Sequence, residues 1–185
     1  MKTPICAFDA KTGLLCPKCE ARLKGGHLTK LDVDSSIKLT KLLGKIPNLE
    51  QVSLIKAHDV SGDLVLVFSS GDLNTLKNDS SAQQKIDAAF GTKVWIVESS
   101  TTDRKMIEDL FYPIPILTVN VVWLPDGSKL TKVIIPGRRT DRFPINVDQV
   151  KQIVKSVRNV ELLVEFEYDS SQDKHRLNFR KNKPY

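Results

Sequence analysis

Cysteine, histidine and aromatic residues are scarce in this sequence, and long apolar runs are missing. Three cysteines occur in 185 residues, all between positions 6 and 19. An odd number in one short stretch is a poor disulfide framework and suits a reducing compartment. The three histidines, His27, His58 and His175, stand in unrelated contexts. No phosphate loop, Gly-x-Ser-x-Gly or His-Glu-x-x-His pattern accompanies them. The carboxylate pairs Glu108-Asp109 and Glu165/Glu167 read as outward positions on a helix and a strand, so no acid–base pair is nominated and a non-catalytic protein is expected. No apolar stretch approaches the ~20 residues that span a bilayer. The segment from Met1 to Lys11 also lacks the apolar core of a secretory signal, so a cytoplasmic protein with no membrane partner is expected. Charge, by contrast, is plentiful: 28 Lys+Arg against 22 Asp+Glu leave +6. That surplus favours a polyanionic partner, with RNA first among the candidates.

The clustered cysteines point to a metal. Cys16-Pro17-Lys18-Cys19 has the spacing with which two thiolates from one tight turn grip a tetrahedral zinc. A zinc ribbon would carry a second such pair, and Cys6-Ala7-Phe8-Asp9 stands in its place, with a carboxylate where the fourth thiolate would be. The expected ligand set is Cys6, Asp9, Cys16 and Cys19, and the expected cofactor is structural Zn2+. His27 is the rival fourth ligand, because imidazole is the commoner zinc partner and Gly25-Gly26 could fold the chain back. Two other readings of the cysteines are buried, metal-free thiols and a redox pair. The redox pair is disfavoured because Lys11-Thr12-Gly13 before Cys16 reads as a turn, whereas a redox Cys-x-x-Cys follows a strand and opens a helix.

Downstream, one pattern occurs twice. Asp34-Ser35-Ser36 can cap a helix carrying Ile37, Leu39, Leu42, Leu43 and Ile46, ended by Pro47-Asn48. Strands over 52–57 and 63–68 then flank a polar loop, Asp59 to Gly62. A short segment 72–77, a loop Asn78-Asp79-Ser80-Ser81, a helix 82–90 ended by Gly91 and a strand 93–97 complete the first pass. In the second, a helix 103–111, with Asp103 placed to cap it, stops before Pro113 and Pro115. Strands 116–123 and 129–135 are joined through Pro125-Asp126-Gly127. The basic loop Gly137 to Arg142, a helix carrying Val147, Val150, Ile153, Val154 and Val157, and a strand 160–166 follow.

The order α-β-β-α-α-β resembles the type II KH domain. The chain as a whole resembles the archaeal NusA-like tandem KH RNA-binding proteins. Leu110-Phe111-Tyr112-Pro113 leading into Val119-Asn120-Val121-Val122 is similar to the link between that family's KH domains, and some archaeal members also have a cysteine-bearing N-terminus. The resemblance implies an α+β fold of two tandem type II KH-like domains, residues 31–100 and 101–169, after a zinc-knuckle-like segment at 1–30 and before a basic tail at 170–185. A working KH domain holds RNA on Gly-x-x-Gly, where only glycine lets the backbone reach the phosphates. Here the first loop, Asn78-Asp79-Ser80-Ser81, has no glycine and carries a carboxylate. The second has Gly137 and, instead of a second glycine, Arg138, Arg139 and Arg142, which can grip phosphate oxygens or stack on bases.

The tail alternates cations with aromatics: Lys174, Arg176, Phe179, Arg180, Lys181, Lys183 and Tyr185. That composition suits phosphate neutralisation and base stacking. The expected function is permanent docking on structured RNA in a large ribonucleoprotein, first as a small-subunit ribosomal protein on rRNA. A NusA-like elongation or termination factor holding nascent RNA at RNA polymerase is the alternative. A protein-binding scaffold with vestigial KH domains comes third.

Overall fold

The computed structural model describes residues 1–46, 49–69, 73, 76, 79–138, 140 and 142–167. Over these residues the chain is α+β, with six helices and two three-stranded sheets. It divides into two compact units, Met1–Met106 and Ile107–Tyr185. No helix among the described residues is long and apolar enough to cross a membrane.

The first unit opens with two short helices, α1 (Ala7–Thr12) and α2 (Pro17–Lys24), then α3 (Lys30–Lys41). Strands β1 (Leu54–Val60) and β2 (Asp63–Phe68) form a hairpin, and α4 (Ser80–Phe90) precedes β3 (Val94–Glu98). Ser61 and Gly62 between the strands both take positive φ, 54° and 89°. That is the type I′ geometry whose twist matches a two-residue hairpin. The sheet order is β1-β2-β3, antiparallel then parallel. Central β2 is buried from Leu64 to Phe68, which is why it reads as an unbroken apolar run. Leu39, Leu49, Leu66, Phe68, Leu73, Leu76 and Ile86 pack in one core around it.

Helix α3 begins earlier than its sequence suggests. The expected cap at Asp34-Ser35-Ser36 lies inside the helix, and the cap is a box formed by Thr29 and Asp32. Thr29 Oγ1 accepts from the Asp32 N–H at 3.1 Å, and Asp32 Oδ2 accepts from the Thr29 N–H at 2.9 Å. The other oxygen of Asp32 accepts from the Ala57 N–H of β1 at 2.7 Å, so one buried carboxylate fixes the helix start to the sheet. Ser36 stays helical by donating to the Asp32 carbonyl at 2.6 Å. The helix ends at Lys41, short of the expected Ile46.

The division between units falls inside α5 (Asp103–Phe111). Thr102 rather than Asp103 caps it, its Oγ1 accepting from the Lys105 N–H at 3.3 Å. The second unit continues with β4 (Thr118–Trp123), β5 (Lys129–Pro136), α6 (Val147–Arg158) and β6 (Glu161–Glu167). Its sheet repeats the first: order β4-β5-β6, antiparallel then parallel. Asn146 caps α6 by accepting from the Asp148 and Gln149 N–H groups, and Asn159 ends it at φ 54°. Val150, Ile153 and Val154, at i, i+3 and i+4, form its buried stripe. Between β5 and α6 the described residues form no helix, so this unit reads α-β-β-α-β where α-β-β-α-α-β was expected. Residues 137, 138, 140 and 142–146 are in turn, bend or irregular structure, with Pro144 disfavouring helix for the residue before it.

Replacing Asp32 by alanine removes the α3 cap and leaves the buried Ala57 N–H without an acceptor. Chemical denaturation should show a loss of about 2–4 kcal/mol, whereas Asp34→Ala, on an exposed position, should cost less than about 0.5 kcal/mol.

Candidate metal centre

The two sequence pairs fold into the same local structure. Cys6 is the N-cap of α1 and Asp9 its third residue; Cys16 is the N-cap of α2 and Cys19 its third residue. Pro17 at the first position of α2 is pre-set for a helix start, and Gly13, at φ 79°, ends α1 and lets the chain turn back. Each x-x spacer is therefore a first helical turn, not the knuckle turn expected of a ribbon. The Asp9 N–H lies 3.5 Å from Cys6 Sγ, and the Cys16 N–H donates to Asp9 Oδ2 at 3.1 Å, binding the second helix start to the first.

Cys6, Asp9, Cys16 and Cys19 thus converge, with one ligand atom from each lying within 4.8 Å of all the others. Tetrahedral zinc with Zn–S of about 2.3 Å needs sulfur separations of about 3.8 Å, so small side-chain movements close the cluster on an ion. Asp9 is fully buried. Its Oδ1 has no hydrogen-bond partner and faces thiols, which are weak donors. An orphaned, buried carboxylate oxygen is costly unless a cation completes it. Three thiols and one carboxylate supply the four donors of a structural zinc site. His27 is exposed beyond α2 and outside the cluster, its N–H donating to the Arg22 carbonyl at 3.0 Å.

The charges of the cluster are mutually dependent. The Cys6 and Cys19 thiols beside Asp9 hold its carboxyl well below the usual carboxylate range. In return, the Asp9 carboxylate, with burial, pushes the Cys19 thiol up to about 12, and it raises the Cys6 thiol as well. Without a cation the Cys6 and Cys19 sulfurs stay protonated, whereas a bound dication reverses that order and draws thiolates. Beneath the cluster Ile5, Ala10, Cys19, Leu28 and Val33 form a small apolar core with Leu15, Leu23 and Ile37 packed against it. Arg22 clamps α2 to the N-terminal segment through Nη1 to the Pro4 carbonyl at 2.7 Å.

The expected RNA-binding residues are placed only in part. Arg138 and Arg142 are exposed on the loop after β5. Arg139 and the tail residues Lys174, Arg176, Phe179, Arg180, Lys181, Lys183 and Tyr185 lie outside the described residues. Beside the loop is a groove of about 840 Å³, lined by Arg138, Phe143, Lys151, Leu163, Glu165 and Phe166 among others. The rings of Phe143 and Phe166 meet there with centroids 5.5 Å apart. Sequence reasoning missed both. The signals were Phe143-Pro144 directly after the arginines and the period-two position of Phe166 on β6. In the first unit Asp79 caps α4, its Oδ1 accepting from the Ser81 N–H at 2.9 Å, so a carboxylate sits where a phosphate would dock.

No family model and no curated protein matches the chain. Among solved structures it is similar to that of APE1850, at 19% identity and a TM-score of 0.40, over 57% of this chain and 78% of that one. A likeness of that size carries no functional argument.

Titration of the metal-free chain should find one zinc per molecule, lost on Cys16→Ser and retained on His27→Ala. Binding must displace protons from at least Cys6 and Cys19. Apparent zinc affinity should therefore fall by at least about two orders of magnitude per unit drop in pH near neutrality; a pH-independent affinity would show that these thiols are not ligands.

Proposed function

We propose that the chain is a non-catalytic RNA-binding protein that docks on structured RNA in a large ribonucleoprotein, with Cys6, Asp9, Cys16 and Cys19 holding a structural zinc. The groove beside Arg138 carries this reading. It sets the basic residue Arg138 beside aromatic and apolar walls, the pairing needed to neutralise phosphates and take up bases. Its two acidic residues already have partners: Glu165 with Lys132 at 2.7 Å and Asp148 with Lys151 at 3.0 Å. The strand order common to both units supports a tandem KH-like ancestry, as in NusA-like proteins. The missing glycine loops and the Asp79 cap favour shape-directed docking, as on rRNA of a small ribosomal subunit, over the sliding grip needed for nascent RNA.

The apparatus needed is phosphate contact and stacking, with no turnover. Replacing Arg138, Arg139 and Arg142 together by alanine should flatten the salt dependence of RNA affinity. For single-stranded contacts the slope of log K against log salt should fall by about 2. An unchanged slope would remove this loop from the interface. Sedimentation of lysate through sucrose at low and high salt would then separate a subunit-bound protein from one that travels with RNA polymerase.

A further inference from the structure

The second sheet has one edge unlike the others among the described residues. Of the four edge strands, β1 carries Lys56 and Asp59, β3 ends in Glu98, and β6 carries Glu161, Glu165 and Glu167. Such charges keep an open edge from pairing with another chain. The start of β1 is also bridged by Lys2, which pairs with Ser53. Strand β4 is Thr-Val-Asn-Val-Val-Trp, without a charge, a proline or a bulge. It is also open: Val121 is 60% exposed, Trp123 65%, and Leu117 just before the strand 51%. Because alternate residues share a face, Leu117, Val119, Val121 and Trp123 line one side and Thr118, Asn120 and Val122 the other.

We propose that β4 pairs antiparallel with β4 of a second copy of this chain, about a two-fold axis through Asn120, joining two three-stranded sheets into one of six strands. The sequence of the strand is self-complementary about that axis. On the apolar side Leu117 meets the partner copy's Trp123, and Val119 meets its Val121. On the other side Thr118 meets Val122, and Asn120 meets its own copy, where the two amides can hydrogen-bond. No charge opposes a charge, and every apolar residue on the exposed row gains an apolar neighbour. A register moved by one residue on one strand sets apolar residues against the polar side and loses the match. The assembly closes at two, because the pairing consumes the only uncharged edge among the described residues and the opposite edge, β6, presents three glutamates. The inference is independent of RNA binding, since it uses none of the groove residues.

The test is sedimentation velocity of the nuclease-treated, zinc-loaded chain across the micromolar range. A concentration-dependent species at twice the chain mass is expected. Val121→Lys should abolish it, and the milder Asn120→Asp, which sets two carboxylates face to face, should weaken it several-fold at neutral pH and less so when acidified. Asn120→Cys places two thiols across the axis, where opposed Cα atoms of an antiparallel pair lie about 4.5–5.5 Å apart, within disulfide range. Mild oxidation should cross-link that variant and leave the Thr118→Cys variant largely uncross-linked. A chain that stays monomeric throughout, or a dimer that survives Val121→Lys with no Asn120→Cys cross-link, overturns the proposal. A monomer whose RNA affinity drops on Val121→Lys would overturn it too, and would give this edge to RNA instead.

Discussion

A single buried carboxylate joins the halves of the first unit. Asp32 takes two backbone N–H groups at once, one at the start of its own helix and one from the middle of β1. The Ala57 donor is buried and has no water to fall back on, so the carboxylate that starts the helix also fixes the strand. The two helices that carry the cysteines then rest on α3 through Val33 and Ile37. What Asp32 does for the sheet, Asp9 does for the N-terminal helices: its Oδ2 accepts from the Cys16 N–H and its Oδ1 is left for a cation. Two aspartates at the third position of a helix thus hold three helices and a sheet in register.

The sequence was most legible where local chemistry leaves few choices. Ser61-Gly62 and Pro125-Asp126-Gly127 announced both hairpins, Gly91 ended α4, and the valine spacing of α6 survived intact. The cysteine spacing named a four-residue set, and Asp9 rather than His27 completes it in space. Legibility failed where a distant partner decided the outcome. Asp34-Ser35-Ser36 looked like a cap because short polar side chains favour helix ends. The local box of Thr29 and Asp32 starts the helix, and the bond from Ala57, across 25 residues, is the distant partner that buries its carboxylate. Likewise nothing in Cys-x-x-Asp distinguishes a first helical turn from a knuckle turn. The groove aromatics escaped notice because Phe143 and Phe166 are far apart in sequence and meet only across the strand and loop.

The two units share one strand order and differ in the residues that join it. Both place a hairpin beside a parallel third strand, yet they differ at the connection before the last helix. In the first unit Asp79 seals the helix start with its own carboxylate. In the second, a glycine and exposed arginines occupy the equivalent connection and leave a groove beside it. The same contrast governs their edges, charged in one sheet on both sides and in the other on one side only.

The N-terminal bridge changes what loss of the metal would mean. The Lys2 N–H donates to the Val52 carbonyl at 3.3 Å, and the Leu54 N–H to the Lys2 carbonyl at 2.9 Å. At the other end Thr29 is bound into the α3 cap. The ligand-bearing segment is therefore a loop anchored at both ends, not a free arm. Releasing such a loop returns less chain entropy than releasing a tail, since its ends remain close. The helices within it, six and eight residues long, are too short to persist on their own. An emptied centre would thus behave as a slack tether across one side of the sheet, whose four ligands stay concentrated near each other and ready to recapture an ion.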